Sequence, residues 1–439
     1  MSKIAIMIGK IIQRILWMMK RGGGTLPGTI ALKIAPTMLR AFTYPKEIII
    51  VTGTNGKSTV TNLLCEILEK SGKSVICNRE GNNLKTGAAS LLLKHSSFMG
   101  RISGDVLLLE VDELSVLRVM EDVTPTCIVI NNFFRDQLDR AGEMENIVRR
   151  MELCVRDYTG KLLLNGDDPS VARLSLSANK ADVHYFGFDA YEGSVEQSKE
   201  ASEGRFCPIC ASELKYVYYQ YSHIGRFYCE KDDFGKHSIE YKGTVVDVDQ
   251  GIYEVNGVPY HSPYRALYAF YNELGAIAMA LQLGVSTSII QESVSSFAMN
   301  NGRMEIYTLK NGHTCTLNLA KNPTGQNESM KIVARYSDPC VVGLVLNDLD
   351  ADGHDVSWIY DARMELLCKE NVKRIYTCGT RYLDMALRMQ YAGYEGEIIP
   401  LKDLEELQVR LNSDDVECFV IANYTSLQPT RRVLKGGSK

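Results

Sequence analysis

The chain has 439 residues, which is too many for one ordinary domain, so two or three domains are expected. Its composition, 45% hydrophobic and 23% charged, is typical of a globular protein, and its net charge of −4 argues against a broad nucleic-acid-binding surface. Most of the twelve cysteines lie scattered among apolar neighbours, which indicates a reducing, cytoplasmic setting and argues against the disulfide framework of a short secreted chain.

The first predicted element is a helix in the apolar segment IAIMIGKIIQRILWMMK, and with the linker after it this helix makes up residues 1–45. Lys10 and Arg14 interrupt the segment at helical spacing. It is therefore too short and too charged to span a bilayer, and it lacks the charge order of a signal peptide. We expect an amphipathic helix that packs on the body of the protein. The alternative is a helix that lies on the inner face of the membrane.

A β-branched strand, a glycine-rich turn and a helix follow in residues 48–68. The turn consists of Gly53, Thr54, Asn55, Gly56, Lys57, Ser58 and Thr59. The generic phosphate loop fails at its first position, where Val51 replaces glycine. Glycines nevertheless let backbone N–H groups approach phosphate, and the helix N-terminus faces the anion. Lys57 would contact the β- and γ-phosphates, and Ser58 or Thr59 would hold Mg²⁺. The alternative is a glycine-rich turn with a surface lysine.

Polar clusters also follow the later predicted strands. Glu110, Asp112 and Glu113 end the strand LLLEVDE, NNFFRDQLDRAGE covers residues 131–143, and LNGDDP covers residues 164–169. Ligands of parallel sheets bind beyond the carboxyl ends of the strands. Glu110 is therefore well placed for the Mg²⁺ of a nucleotide. Taken alone, each cluster is more simply explained as a charged loop, but their recurrence at successive strand ends favours a site.

Residues 198–260 break the alternation of strands and helices, and a ribbon-like insertion is predicted over about residues 200–240. It contains a cluster with the spacing C-x₂-C-x₁₈-C-x₂-D, formed by Cys207, Cys210, Cys229 and Asp232. This spacing resembles a zinc ribbon in which a carboxylate replaces the fourth thiolate, and such a closed site would be structural. His223 or His237 could serve as the fourth ligand instead. The remaining alternative is a degenerate ribbon without metal.

After two further helices in YNELGAIAMALQLGVSTSIIQESVSSFAMN, a second series of strands and helices begins at Arg303. Continuous apolar strands that alternate with helices predict parallel sheets covered on both faces. The expected fold class is α/β. A central P-loop ATPase domain would occupy residues 46–302, and a Rossmann-like α/β domain would occupy residues 303–439.

The GTNGKST loop, the strand ending in Glu110, and the motifs N-x-x-x-D-Q-L-D and N-x-D-D-P together resemble the central domain of the Mur ligases. Folylpolyglutamate synthetases resemble it as well. In both families ATP phosphorylates a carboxylate, and an amine then attacks the acyl phosphate. The resemblance implies that the nucleotide is contacted by Asn165, Asp167, Asn272 and Arg303.

The stretches DQLDR, KNPTGQN and ADGHDVSW are similar to the MurT branch of this superfamily, the synthetase subunits of lipid II isoglutaminyl synthase. That resemblance implies amidation of the α-carboxyl of D-glutamate in the peptidoglycan stem of lipid II, which gives D-isoglutamine. The ammonia would come from a GatD-type glutaminase subunit in a heterodimer.

The same resemblance implies further roles. Lys321, Asn322 and Asn327 would position the substrate or ammonia. Asp352, with Asp355 as the next candidate, would complete the Cys-His-Asp triad of the partner and contact it from the C-terminal domain.

Two other functions remain as alternatives. A ligase that adds an amino acid is disfavoured because Gln137 stands where such enzymes typically have a histidine that helps to bind a second Mg²⁺. A nucleotide-binding scaffold without catalysis is disfavoured because Lys57, Ser58 and Glu110 are all present.

Overall fold

Two large sheets organise the protein in the computed structural model, which describes residues 1–19, 24–79, 82–135, 144–198, 200, 203–298 and 304–436. One sheet has nine strands and the other has six, and a separate two-stranded hairpin accompanies them. The helices are α1 (Ser2–Met18), α2 (Leu26–Ile34), α3 (Lys57–Lys70), α4 (Lys85–His95), α5 (Val116–Met120), α6 (Met144–Val155), α7 (Pro169–Ala172), α8 (Leu267–Gln282), α9 (Thr287–Ser296), α10 (Pro323–Arg335), α11 (Tyr382–Tyr391), α12 (Leu404–Ser413) and α13 (Tyr424–Leu434).

The nine-stranded sheet has the order β11-β10-β9-β6-β5-β4-β1-β3-β2. Its strands are β1 (Glu47–Thr52), β2 (Val75–Cys77), β3 (Val106–Glu110), β4 (Cys127–Ile130), β5 (Lys161–Asn165), β6 (Asp182–Phe188), β9 (Tyr241–Asp247), β10 (Ile252–Val255) and β11 (Val258–His261). The pairs from β9 to β2 are parallel, which confirms the predicted parallel sheet. Strands β1 and β4 are neighbours, but the chain leaves β1 toward the edge formed by β2 and leaves β4 toward β5, in the opposite direction. A topological switch point therefore lies at the carboxyl ends of β1 and β4.

The irregular segment predicted over residues 198–260 consists of two different structures. The hairpin of β7 (Lys215–Tyr221) and β8 (Ile224–Tyr228) stands apart from both large sheets, and the cysteine cluster lies beside it. Strand β9 instead pairs with β6 in parallel, and β10 and β11 extend the sheet by antiparallel pairing. The inserted ribbon therefore ends before β9, and the remainder of the segment belongs to the main sheet.

The six-stranded sheet has the order β12-β13-β17-β14-β15-β16. Its strands are β12 (Glu305–Thr308), β13 (Thr314–Leu319), β14 (Cys340–Val345), β15 (Val372–Cys378), β16 (Glu397–Pro400) and β17 (Glu417–Ala422). Only the β12–β13 pair is antiparallel. The second series of strands and helices thus forms the α/β unit that the sequence predicts.

Helix α1 packs one face on the body of the protein, as expected. Ala5, Ile6 and Gly9 are buried, and a Cβ atom at Gly9 would come within 2.6 Å of Leu93 Cδ1 in α4. A side chain at this position would therefore require Leu93 to move. Among the residues that the structure describes, no helix combines the length and apolarity needed to cross a bilayer.

Glu273 is a fully buried carboxyl group in α8. It accepts hydrogen bonds from the Tyr253 hydroxyl at 2.8 Å and the Ser262 hydroxyl at 2.7 Å. Burial raises its pKa from 4.5 to about 8 despite these two hydrogen bonds. The folded protein therefore keeps this proton to a higher pH than the unfolded chain does.

We expect Glu273→Gln to remove a pH dependence of stability. Between the ordinary pKa of 4.5 and the folded-state pKa of about 8, unfolding of the wild type releases a proton, so its stability falls as pH rises. The slope is at most about 1.4 kcal/mol per pH unit. Urea unfolding at several pH values should show that the free energy of unfolding of the variant rises relative to that of the wild type as pH increases. Exposed Glu395→Gln serves as the control, and parallel curves for Glu273→Gln and the wild type would contradict the assignment.

Candidate active site

The loop between β1 and α3 has the backbone geometry of a phosphate-binding turn. Gly53 and Gly56 have φ values of +130° and +82°, which favour glycine. A Cβ atom at Gly56 would lie 1.9 Å from Asn272 Oδ1, so the amide of Asn272 in α8 sits directly against the loop. The structure thus brings together two groups of residues that the sequence predicts for nucleotide binding.

Lys57 opens α3 and is almost completely buried. Its ammonium group donates to the carbonyl oxygens of Gly53 and Thr54 and forms a 3.0 Å ion pair with Glu113. Burial by itself would lower the pKa of Lys57, but the carboxylates of Glu113, Asp112 and Glu110 outweigh burial and raise it. Lys57 therefore carries a full positive charge at the loop. Glu113 therefore belongs to the candidate site through this ion pair, although the sequence marked it only as a charged residue at a strand end.

Glu110 ends β3 beside Val51 of β1, one strand away from the phosphate loop. Asn78 fixes its backbone with two hydrogen bonds of 2.8 Å, one to the N–H and one to the carbonyl. Asn83 donates to its carboxylate at 3.4 Å. Oxygen ligands from a carboxylate and a hydroxyl suit Mg²⁺, so the side chains of Glu110 and Ser58 fit this ion chemically.

Asparagine side chains tie the phosphate loop to the neighbouring strand ends. Asn131 donates to the Asn55 carbonyl at 2.9 Å and to Asn272 Oδ1 at 2.7 Å. Asn132 accepts from the Asn55 N–H at 2.8 Å. Both follow β4, at the switch point of the sheet. The sequence places them in a polar cluster after a predicted strand but carries no signal of their contact with Asn55, because that contact depends on the order of the strands in the sheet.

Asn165 is the last residue of β5, Asp167 comes two residues later, and both contact the elements that build the site. Asn165 donates to the Asn131 carbonyl at 2.9 Å. The Asp167 carboxylate accepts from the Tyr271 hydroxyl and the Phe188 N–H, each at 2.7 Å. Burial raises the pKa of Asp167 to about 6. Both side chains are engaged within the protein, and their contact with a nucleotide stays a prediction.

The segment at the start of α10 reaches the phosphate loop from the C-terminal sheet. Asn322 caps α10 by accepting from the Gly325 N–H at 2.8 Å, and its amide donates to Asn55 Oδ1 at 3.1 Å. Asn322, Lys321 and Glu328 line one cleft together with Asn55 and Asn272. The structure thus joins the predicted substrate segment to the predicted nucleotide site.

Two residues of α10 differ from the sequence prediction. Asn327 is not among the residues that line this cleft and accepts from the Arg363 N–H at 2.7 Å, so its contact with substrate or ammonia stays a prediction. Glu328 does line the cleft, although the sequence did not single it out. Burial raises the pKa of Glu328 even though Lys331 pairs with it at 2.7 Å.

Two predictions fall outside the described residues. Arg303, expected near the nucleotide, lies in the gap at residues 299–303, and Gln137, expected near a second metal ion, lies in the gap at residues 136–143.

The two candidate triad aspartates differ in exposure. Asp352 is buried, and its carboxylate accepts from both the N–H and the hydroxyl of Thr425. Asp355 is exposed and accepts from the Ser357 N–H at 2.8 Å. The hydrogen bonds from Ser357 hold the pKa of Asp355 below its ordinary value, so the group is ionised. The geometry therefore favours Asp355 over Asp352 as the residue that reaches another molecule.

The predicted metal ligands Cys207, Cys210, Cys229 and Asp232 come together beside the β7–β8 hairpin. Their ligand atoms all lie within 4.8 Å of one another. The N–H groups of Ile209 and Lys231 donate to two of the sulfurs, at 3.3 Å and 3.4 Å. Three thiols and one carboxylate at this spacing fit a closed tetrahedral zinc site.

Neither histidine alternative belongs to this cluster. His223 is buried beside Asp168 and Phe134, and His237 Nε2 is 2.8 Å from the Gly166 carbonyl. Asp232 is therefore the fourth donor in the structure.

Comparison with known proteins identifies matching families along most of the chain. The Mur ligase middle domain matches residues 51–280, and the MurT ligase C-terminal domain matches residues 319–427. The lipid II isoglutaminyl synthase (glutamine-hydrolyzing) subunit MurT of Staphylococcus aureus strain COL is 34% identical over 97% of this chain and 96% of its own length. The subunit of the same name from Streptococcus pneumoniae strain R6 is 32% identical over 94% and 92%.

Solved structures share the fold. A pseudomurein peptide ligase type C from Methanothermus fervidus has a TM-score of 0.65 at 20% identity and covers 91% of this chain and 80% of its own. The folylpolyglutamate synthase of Mycobacterium tuberculosis, complexed with ADP and AMPPCP, has a TM-score of 0.61 at 13% identity and covers 98% and 99%. These likenesses concern the fold alone.

Proposed function

The chain belongs to the MurT family of Mur-type, ATP-dependent ligases, and from this premise we propose that it amidates the α-carboxyl of D-glutamate in the peptidoglycan stem of lipid II to D-isoglutamine. One observation carries the proposal: the 3.1 Å hydrogen bond between Asn322 and Asn55. It joins the segment expected to position the substrate or ammonia to the loop expected to hold the phosphates of ATP. A carboxylate bound in this cleft would lie next to both.

The proposed chemistry has two steps. A substrate carboxylate oxygen bonds to the γ-phosphorus of ATP, and ADP leaves. Ammonia nitrogen then bonds to the acyl carbon, phosphate leaves, and the nitrogen loses a proton. Lys57 compensates the phosphate charge, and Lys321 orients the anionic substrate. Mg²⁺, held by Glu110 and Ser58, would neutralise further charge on the phosphates.

A glutaminase subunit of the GatD type is the proposed source of ammonia, in a heterodimer with this chain. The exposed, ionised carboxylate of Asp355 supports a role in which it orients the histidine of the partner's triad. Because lipid II is linked to a lipid, the proposed function also implies that the enzyme works at a membrane surface.

Mass spectrometry of lipid II tests this function. The purified chain is incubated with lipid II, ATP, Mg²⁺ and ammonium, and separately with glutamine, each with and without the glutaminase. We expect the mass decrease of a carboxyl-to-carboxamide conversion, with ammonium in every case and with glutamine only when the partner is present. Conversion with glutamine by this chain alone would refute the division of labour. ATP hydrolysis that depends on an added amino acid, without amidation, would favour an amino-acid ligase.

We also propose that the cysteine cluster holds structural zinc. We expect about one zinc per chain in the wild type, measured by atomic emission, and loss of that zinc in Cys229→Ser. Loss of zinc should lower the thermal unfolding midpoint, because the metal would stabilise the inserted ribbon. Cys368→Ser, half-buried outside the cluster, is the matched control. A wild-type chain without zinc after expression in zinc-supplemented medium would contradict the proposal.

A further inference from the structure

A second cavity, of about 650 Å³, lies between α1, α4 and the end of β2. Among the described residues, its lining includes no Asp or Glu and five basic side chains from these three elements: Lys10, Arg14, Arg79, Lys94 and His95. Such a concentration of one charge sign in a concave site favours an anionic ligand.

Most of the lysine and arginine charges in this lining are not neutralised by the described residues. Arg79 pairs with Glu69, but in the described part of the chain neither Arg14 nor Lys94 has a side-chain hydrogen bond or an ion pair. Lys10 donates to the carbonyl oxygens of Leu93 and Ser96, which bring no net charge. Burial, followed by the charges of Lys94 and Lys10, lowers the pKa of His95, which agrees with an uncompensated positive field.

The surrounding sequence strengthens this field. The first 46 residues contain eight Lys or Arg residues and no Asp or Glu, whereas the whole chain has a net charge of −4. Positive charge is therefore concentrated in the part of the chain that builds the outer wall of the cavity.

Helix α1 presents an apolar stripe beside the cavity. The stripe consists of Ile4, Met7, Ile11, Ile15 and Met18, which are 45–62% exposed. Their spacing of three or four residues places them on one side of the helix, and Lys3, Lys10 and Arg14 flank them. An exposed apolar stripe with a basic border is the pattern of a helix that lies in a membrane interface.

The inner end of the cavity reaches the candidate active site. Asn78 lines the cavity and also makes both 2.8 Å hydrogen bonds to the backbone of Glu110. An anionic group in the cavity would therefore be held near the carboxylate expected to bind Mg²⁺.

We propose that this cavity binds the phosphate-bearing group of a lipid-linked substrate while the apolar stripe of α1 lies in the surface of the bilayer. The proposal rests on the proposed function, because it assigns a second binding site for the same substrate. Arg14 and Lys94 bind the phosphate group, and the peptide portion extends past Asn78 to Glu110 and Lys57. The site thereby favours a substrate that still carries its phosphate-bearing group over a stem peptide without one.

The test uses the double variant Arg14→Glu/Lys94→Glu. Its matched control is Lys402→Glu/Lys435→Glu, which makes the same change in net charge at exposed lysines of the C-terminal unit. The first readout is equilibrium binding of farnesyl diphosphate, with farnesol as the phosphate-free comparison, while AMPPCP and Mg²⁺ occupy the phosphate loop. We expect the affinity for farnesyl diphosphate to fall about tenfold or more in the double variant and to stay unchanged in the control.

The second readout is ammonium-driven amidation of lipid II in neutral detergent micelles. We expect the KM for lipid II to rise about tenfold in the double variant, with kcat within about twofold of wild type. Amidation of a soluble stem peptide without phosphate should not change. Absence of amidation by the wild type would refute the proposed function, whereas the binding readout would still decide the role of the cavity.

A third readout separates the substrate phosphate from bulk lipid headgroups. Flotation with phosphatidylcholine vesicles, with and without phosphatidylglycerol, measures binding to an anionic bilayer. If the double variant loses binding to phosphatidylglycerol but keeps its affinity for farnesyl diphosphate and its KM for lipid II, the cavity binds headgroups and the proposal is wrong. Unchanged affinity and KM, with or without altered flotation, would equally overturn it.

Discussion

Lys57→Ala is expected to abolish ATP-dependent amidation, with kcat falling at least about a hundredfold. The buried ammonium group is the positive charge at the phosphate loop, held by Glu113 and by two loop carbonyls. Without it the charge that develops on the β- and γ-phosphates stays uncompensated. Amidation of lipid II with saturating ammonium, followed by mass spectrometry, measures the effect without involving the glutaminase.

Loss of stability could imitate this result, because Lys57→Ala leaves Glu113 buried and unpaired. The double variant Lys57→Ala/Glu113→Gln removes both charges and should recover the thermal unfolding midpoint but not the activity. Lys70→Ala, at the other end of α3, breaks a partly exposed ion pair with Glu66 and should retain full activity. Amidation by Lys57→Ala at the wild-type rate would exclude the loop from the mechanism.

Asp355→Asn is expected to lower glutamine-driven amidation without changing ammonium-driven amidation. In the complex with the glutaminase, glutamine-driven amidation should fall about a thousandfold, because asparagine keeps the shape of the side chain but cannot stabilise a histidine cation. Ammonium-driven amidation by the same complex should stay at the wild-type level. Parallel assays with glutamine and with ammonium, at equal protein concentration, measure the ratio directly.

Two neighbouring aspartates provide the comparison. Asp350→Asn alters an exposed carboxylate that pairs with His354 at 3.2 Å and should change neither activity. Asp352→Asn weakens the contact with Thr425 at the start of α13 and should destabilise the C-terminal unit, which would lower both activities together. A selective loss of glutamine-driven turnover in Asp352→Asn, with Asp355→Asn unaffected, would assign the triad role to Asp352 instead.

Short-range sequence patterns were sufficient to predict those features that depend on residues close together in the chain. Continuous apolar strands, each followed by a helix, predict parallel sheets because both faces of such strands must be covered. The phosphate loop lies within a few residues of one turn, and its glycines follow from the φ values of that turn. The cluster of Cys207, Cys210, Cys229 and Asp232 follows from a C-x₂-C turn and a C-x₂-D turn. Only the three-dimensional structure shows that Asp232, and neither His223 nor His237, is the fourth member.

Contacts between distant segments could not be predicted in the same way. The Lys57–Glu113 ion pair and the hydrogen bonds that Asn55 forms with Asn131 and Asn132 depend on β1 lying between β3 and β4. Strand order is set by the packing of the whole sheet, and nothing local to these residues specifies it. The basic cavity likewise exists only because α1 packs against α4.

The sequence by itself thus determined the α/β class, the phosphate loop, the metal-type cluster and the resemblance to one ligase family, since each depends on residue types at short, regular spacing. Tertiary structure alone decided which polar groups meet and which aspartate is exposed. It also decided that the segment beginning at Lys321 reaches the loop at Asn55. The physical reason is that burial and hydrogen bonding across the fold depend on how elements far apart in the chain pack together, which short-range pattern does not encode.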